Sequence, residues 1–253
     1  MALRNVILTI AYDGCDYHGW QIQPGEVTVQ GVLTEAIHSL LGPRARVCGA
    51  SRTDAGVSAL GQVGLLRVDS PIPTENLARA ITDRLPENMV IVKAEDAPVG
   101  FDVIGDVTCK LYRYTIFCGP VRPVLYMRHC WHIAANLDVQ RMNEAAKLLV
   151  GKKDFKSFAA AADRREDSVR TVFRCEVTES PATDGRWIYV EAEGDGFLYN
   201  MVRNIVGTLV EVGLGRWPPE KIPEILEARD RKAAGPIAPP NGLCLMWIKY
   251  HAR

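Results

Sequence analysis

One order of elements occurs twice along the chain, and that duplication limits the fold more than any single motif. Residues 5–12, Asn-Val-Ile-Leu-Thr-Ile-Ala-Tyr, are apolar and β-branched and read as a strand. A loop rich in Gly, Asp and Pro follows. Across 28–41 the apolar residues Val29, Val32, Leu33, Ile37, Leu40 and Leu41 fall at helical spacing, and Gly42-Pro43 stops the run. Residues 46–50 and 62–68 read as strands around a glycine-containing turn. A helix starting at Pro73-Thr74, capped by Thr74, puts Leu77, Ile81 and Leu85 on one face. Residues 89–93 close the unit as a strand. The order is β-α-β-β-α-β, the split ferredoxin-like unit.

The second half repeats it. Residues 110–117 read as a strand, and Asp138 caps a helix carrying Met142, Ala145, Ala146, Leu148 and Leu149. Residues 171–177 and 187–192 read as strands around a Thr-Asp-Gly turn. A long helix is expected over 197–213, a second from Pro218, and a last strand over 243–250. The extras are a short strand near 129–133 and the segment around Phe155 to Phe158. The expected fold is α+β: two ferredoxin-like subdomains, residues 1–104 and 105–253, dividing near Gly100 to Val107. Their edges are expected to join into one mostly antiparallel sheet with a central active-site cleft. The duplication is one of pattern, without a repeated sequence.

A chain of 253 residues suits one large domain or two small ones. At 47% hydrophobic and 24% charged it reads as a soluble globular protein, which excludes a disordered chain or a coiled-coil rod. No uncharged apolar run approaches the roughly 18–20 residues of a membrane span. Met1 to Arg4 leads straight into a strand, without the pattern of a secretory signal. The 7 cysteines form no C-x-x-C pair, so neither a zinc site nor a disulfide framework is expected, and a reducing cytosol is the natural compartment. Lys+Arg and Asp+Glu are both 30, so nucleic-acid binding must rest on local clusters of charge.

Three segments carry chemistry. Gly49-Ala50-Ser51-Arg52-Thr53-Asp54-Ala55-Gly56-Val57 follows a strand and presents a carboxylate with a cation two residues away. Such a carboxylate stays ionised and serves as nucleophile or base; the same pattern also fits a turn in which Asp54 accepts backbone N–H bonds. In Lys110-Leu111-Tyr112-Arg113-Tyr114, strand alternation puts Tyr112 and Tyr114 on one face and Arg113 on the other. A tyrosine there stacks on a base or fills a core. Arg203 interrupts a mostly apolar helix, with Asn200 and Gly207 about one turn away on either side. It either lies on an exposed stripe or pairs with an acid.

Two further clusters are weaker. In His129-Cys130-Trp131-His132 the histidines fall on opposite faces of a strand, so one metal cannot easily take both. Lys152, Lys153, Lys156, Arg164, Arg165, Arg170 and Arg174 form the densest basic stretch. It suits a phosphate backbone, although Asp163, Glu166 and Asp167 interleave it.

In order and spacing, these segments resemble the tRNA pseudouridine synthase A family over essentially the whole chain. The resemblance is carried by Tyr12-Asp13-Gly14, Tyr17, Gly19-Trp20-Gln21, Gln23 and Thr28-Val29-Gln30, then by Arg52-Thr53-Asp54-Ala55-Gly56-Val57 and Gly61-Gln62-Val63. Tyr112-Arg113-Tyr114, Asp154-Phe155, Ser157-Phe158, Met201-Val202-Arg203-Asn204-Ile205-Val206-Gly207 and Gly242-Leu243 complete it. It implies Asp54 as the catalytic aspartate, Tyr112 as the aromatic stacked on the target base, and Arg203 as the partner of Asp54. Arg52 is implied beside the flipped nucleotide and Leu243 in the base pocket. The implied reaction is isomerisation of uridine at positions 38–40 of the tRNA anticodon stem-loop, by a cytoplasmic homodimer that uses no metal or organic cofactor and no membrane. The sequence departs from the usual bacterial pattern at Ser58 and Gly64, where histidine is common, and at Phe101-Asp102-Val103-Ile104, which lacks the common His and Arg.

Overall fold

Strand β1 (Arg4–Tyr12) alternates buried Val6, Leu8, Ile10 and Tyr12 with less buried neighbours, the period of a strand with one face on a core. In the computed structural model, which describes residues 3–163, 165 and 167–251, the chain forms two compact units. The first is Met1–Thr108 with Leu245–Arg253, and the second is Cys109–Cys244.

In the first unit β1 lies between β3 (Ser58–Val68) and β4 (Met89–Asp96), antiparallel to both. Strand β2 (Arg46–Gly49) pairs with the far half of β3, from Gly64 to Arg67. Helices α1 (Val29–Leu41) and α2 (Thr74–Thr82) touch each other and bury Val29, Leu33, Ala36, Ile37, Leu77 and Ile81. Each such aliphatic side chain contributes about 1.5–3 kcal/mol on burial. The element order is the expected β-α-β-β-α-β. The near half of β3 borders β10 (Leu243–Tyr250), where Gly61 faces the Met246 carbonyl. That neighbour draws the chain from Leu245 onward into the first unit.

In the second unit the order is β5-β9-β8-β7, all antiparallel, with β6 (Trp131–Ile133) added parallel to β5. The strands are β5 (Val107–Cys118), β7 (Gly151–Asp154), β8 (Val169–Ala182) and β9 (Gly185–Gly194). Helix α3 (Val139–Lys147) packs on β8 and on α4 (Met201–Gly213), while α5 (Lys221–Ala228) packs on a 3-10 turn, Lys156–Phe158. No helix among the described residues is long and apolar enough to cross a membrane.

Caps explain where helices begin, and where the expectations shift. Asp138 caps α3 as expected, accepting from Arg141 N–H (3.0 Å); Thr28, at the start of the expected helix, is instead its cap and accepts from Gly31 N–H (3.2 Å). Thr74 is no cap. It is the first residue of α2, and its hydroxyl donates to Asp96 (2.6 Å) while Arg4 donates to it (2.6 Å). Helix α2 ends at Thr82, before Leu85. Helix α4 starts at Met201 rather than at residue 197, because Asn200 takes a left-handed conformation (φ 62°) that no helix continues through. Helix α5 starts at Lys221, three residues after Pro218. Strand β7, four residues long, adds an edge to the second half that hydrophobic alternation does not announce.

Candidate active site

Asp54 stands in an irregular segment between β2 and β3, held on both sides by backbone hydrogen bonds. Ala50 N–H donates to Val63 O (2.8 Å). Gln62, wholly buried, accepts from Ser51 N–H (3.2 Å) and Val63 N–H (3.1 Å) and donates to Ser51 O (2.7 Å). Trp20 N–H donates to Thr53 O (3.0 Å), Thr53 shares a hydroxyl hydrogen bond with Tyr12 (2.8 Å), and Gly56 N–H donates to Tyr17 O (3.2 Å). Val57 N–H closes the turn on Asp54 O (3.1 Å). Gly19 has φ 83°, and a Cβ on it would stand 2.7 Å from Thr53 O, so only glycine fits there.

The segments that carry the family resemblance in the first half therefore converge on one loop. Tyr12, Tyr17, Gly19, Trp20 and Gln62 all brace the backbone on either side of Asp54. A bracing set of this kind fixes the backbone around the half-buried Asp54, whose carbonyl closes the turn. Arg52 and Ala55 on the same loop are exposed.

The departures have local roles. The Ser58 hydroxyl accepts from Gly14 N–H (3.0 Å). Gly64 is buried, with Ile10 and Val47 side chains 3.1 and 3.2 Å from where its Cβ would be, so that site has no room for a ring. Val103 O accepts from the Tyr250 hydroxyl (2.9 Å), and the Phe101 and Tyr250 rings lie 4.9 Å apart.

In the second unit Tyr112 and Tyr114 share one face of β5, buried at 7% and 0% exposure. Tyr112 lies opposite Ala192 and meets Phe197 edge-on, ring centroids 5.4 Å apart. Tyr114 donates to Pro239 O (2.8 Å). Burial pushes its phenol far above the usual range, against the pull of the Arg203 charge. Arg113 turns to the other face and pairs with Glu191 (2.6 Å). Lys110 shares the face of Tyr112 and lies opposite Gly194. Its burial lowers the ammonium to about 8.

Arg203 is the third residue of α4. Its Nε–H donates to Ala238 O (2.9 Å) and its Nη1 to Asn200 Oδ1 (3.0 Å). The left-handed Asn200 is thus both the helix boundary and a guanidinium support. Leu243, 5% exposed, opens β10 just after Asn241, whose amide donates to Met127 O (2.8 Å) and Cys130 O (2.9 Å).

Three arginines of the basic stretch are paired with carboxylates. Arg165 makes a two-pronged pair with Asp163 (2.8 and 3.0 Å), and Arg170 lies 3.7 Å from Asp167. Arg174 sits among Glu176, Glu191 (3.0 Å) and Glu193 (3.4 Å). Arg164 and Glu166 lie outside the described residues. His132 bonds to Gly119 O (2.8 Å) through its ring.

Within the first unit the expected residues Arg52 and Asp54 share one loop; Tyr112, Arg203 and Leu243 belong to the second unit. Motif reading assigns no role to Asn204, Thr208 or Arg231, although Asn204 hydrogen-bonds both Thr208 and Arg231. Two polar side chains four apart in an apolar helix were the available signal. The first unit thus carries a carboxylate-bearing loop, and the second carries an aromatic strand face.

The chain belongs to the tRNA pseudouridine synthase family, whose model matches residues 8–104 and 145–251. It is 40% identical to the tRNA pseudouridine synthase A of Thermoanaerobacter sp. (strain X514), over 98% of this chain and 100% of that one. It is 42% identical to that of Brevibacillus brevis and 41% identical to tRNA pseudouridine synthase A 2 of Clostridium perfringens, with the same coverage. Among solved structures, an H/ACA ribonucleoprotein bound to a substrate RNA is similar at a TM-score of 0.38 and 11% identity, covering 81% of this chain and 44% of that one.

Proposed function

We propose that the chain isomerises uridine to pseudouridine at positions 38–40 of the tRNA anticodon stem-loop, with Asp54 as the catalytic carboxylate. The class of reaction follows from the family; the position and the residue roles are this reading's own. The observation that supports it most is the Asp54 loop, on which the family's separate sequence segments converge.

The reaction breaks the N1–C1′ glycosidic bond and forms C5–C1′. The C5 proton is lost and N1 gains one, so atoms and electrons balance without an oxidant, a water or a leaving group. One carboxylate serves either of two routes: attack at C1′, or removal of the C2′ proton to give a glycal. The target base must leave its stack to reach Asp54, at a cost of a few kcal/mol. Tyr112 stacks on the extruded uracil, Leu243 lines its pocket, and Arg52, exposed on the Asp54 loop, contacts the flipped nucleotide. Arg203 acts with Asp54 and favours its ionised form. A dry apolar surround keeps the detached uracil from water, so no second carboxylate acid of the glycosidase kind is required. The protein acts as a homodimer in the cytoplasm, where all seven cysteines stay free thiols.

The test is pseudouridine mapping by carbodiimide treatment and reverse transcription on unmodified tRNA. Stops on the 3′ side of the anticodon stem-loop at unchanged RNA mass support the proposal. Free uracil would indicate a nucleosidase, and binding without either would indicate a non-catalytic RNA binder. Asp54→Asn should abolish turnover while preserving tRNA binding, since the amide cannot act as an anionic nucleophile or base. Activity within about tenfold of wild type would remove Asp54 from its role.

A further inference from the structure

The segment after α5 returns along α4 and is tied to it repeatedly. Arg231 Nη2 donates to Asn204 Oδ1 (2.9 Å), and Gly235 N–H donates to the Thr208 hydroxyl oxygen (3.0 Å). Ala238 N–H donates to Arg203 O (3.2 Å), and the Arg203 Nε–H donates back to Ala238 O (2.9 Å). The helix side of this ladder is buried: Asn204 is 1% exposed and Thr208 0%. Asn204 Nδ2 also donates to Phe158 O (2.7 Å), and the Thr208 hydroxyl donates to Asn204 O (2.7 Å). Every one of these polar groups is matched, which fixes the geometry.

The approach is closer than side chains would permit. A Cβ on Gly207 would stand 1.7 Å from Pro236 O, and one on Gly235 would stand 2.8 Å from the Thr208 Cα. Two glycines thus let backbone lie on backbone, and the strap enters hydrogen-bond range of Arg203.

A guanidinium is planar, so two supports on different nitrogens set its orientation. Here the supports are Ala238 O on Nε and Asn200 Oδ1 on Nη1. Asn200 belongs to the helix boundary. Ala238 belongs to the strap, three residues beyond the bond between Gly235 and Thr208.

We propose that residues 231–238 are a strap that aims Arg203, and that Thr208 and Asn204 are positioning residues for the reaction, acting through Ala238 O. The inference rests on the role given to Arg203 under the proposed function. A buried network that serves stability alone would show the same hydrogen bonds but would be indifferent to what side chain stands at 203.

That difference supplies the experiment. Thr208→Val keeps the shape and removes the acceptor of Gly235 N–H; Thr208→Ser restores it; Arg231→Lys loosens the other tie if the valine variant fails to fold. The readouts are steady-state constants on stem-loop RNA and the 15N Nε–H resonance of Arg203 in RNA-free protein, assigned by its loss in Arg203→Lys. Thr208→Val should lower kcat about tenfold with KM within about twofold, the scale of a sub-ångström misplacement. It should shift the Arg203 Nε–H resonance and speed its exchange, and Thr208→Ser should reverse both. In an Arg203→Lys background, which has no Nε–H, Thr208→Val should change the rate less than about twofold. Equal losses in both backgrounds, or an unshifted resonance, would overturn the proposal. Wild-type turnover in Arg203→Lys would overturn the role of Arg203 and the positioning with it. That result is told apart from a slack strap because the resonance is read without RNA.

Discussion

Trp20 lies across Gly49 so closely that a methyl group on Gly49 would stand 2.3 Å from the indole ring. The contact joins the end of β2 to the backbone that donates to Thr53 O, one residue before Asp54.

Gly49→Ala should therefore act on the Asp54 loop through Trp20. Overpacking of this kind costs about 1–3 kcal/mol. The expected result is a fall in the urea midpoint, a red shift of tryptophan emission as the indole is displaced, and a lower single-turnover rate. Unchanged emission and rate would show that a methyl group at Gly49 does not displace Trp20.

Asp163 anchors the segment before β8 to the turn before α4. The Arg165 side chain holds its carboxyl down at about 2, helped by the N–H groups of Arg165 and Tyr199 and opposed by burial. The folded value lies below the ordinary 3.8, so the stabilisation is present above pH 4 and is lost as pH falls toward 2. Asp163→Asn should cost about 2 kcal/mol at pH 6 and clearly less at pH 3, read from urea unfolding at both. An equal cost at both would assign the loss to shape rather than charge.

Lys110 has the opposite pH dependence. Desolvation lowers it from 10.5 to about 8. Its burial penalty is therefore fully present below pH 8 and is relieved as pH rises from there to 10.5. Lys110→Met should be more stable than wild type at pH 7, by on the order of 3 kcal/mol, with the two converging near pH 10.5. A gap independent of pH would mean that the lysine titrates normally.

RNA binding should weaken with salt despite zero net charge. Arg174, surrounded by Glu176, Glu191 and Glu193, displaces few counterions, so Arg174→Gln should leave the salt slope unchanged. Arg52 is exposed on the Asp54 loop, and Arg52→Ala should reduce the slope by about 0.9 for one lost phosphate contact. The reverse ranking, by filter binding across a salt series, would relocate the RNA track.

Where the sequence was transparent, the physics was local. Asp138 caps α3 because a side-chain oxygen beside free helix N–H groups has one good use. The alternation of β1 is enough to place Val6, Leu8 and Ile10 inside. Thr74 misled because its hydroxyl found Arg4 and Asp96, residues that no local pattern connects to it. The helix reading began four residues early, at 197, because the left-handed Asn200 has no signature in hydrophobic spacing. The pairing of Arg174 was not legible either, because charge counts do not show that Glu191 and Glu193 on β9 face it on β8. For the candidate site, motifs single out Asp54 and Arg203, but nothing local announces the segment bonded to Arg203, since its ties reach across about 30 residues and its close approach depends on Gly207 and Gly235.

The first unit is made of two stretches of chain, and β10 beside β3 comes from the second. Translation delivers those stretches far apart in time. At roughly 5–20 residues per second, the ribosome takes on the order of ten seconds to make Cys109–Cys244 before Leu245 appears. Through that interval the near half of β3 is an open edge, with unsatisfied peptide groups available to any other strand. A nascent chain stalled before Leu245 should be the form most dependent on chaperones.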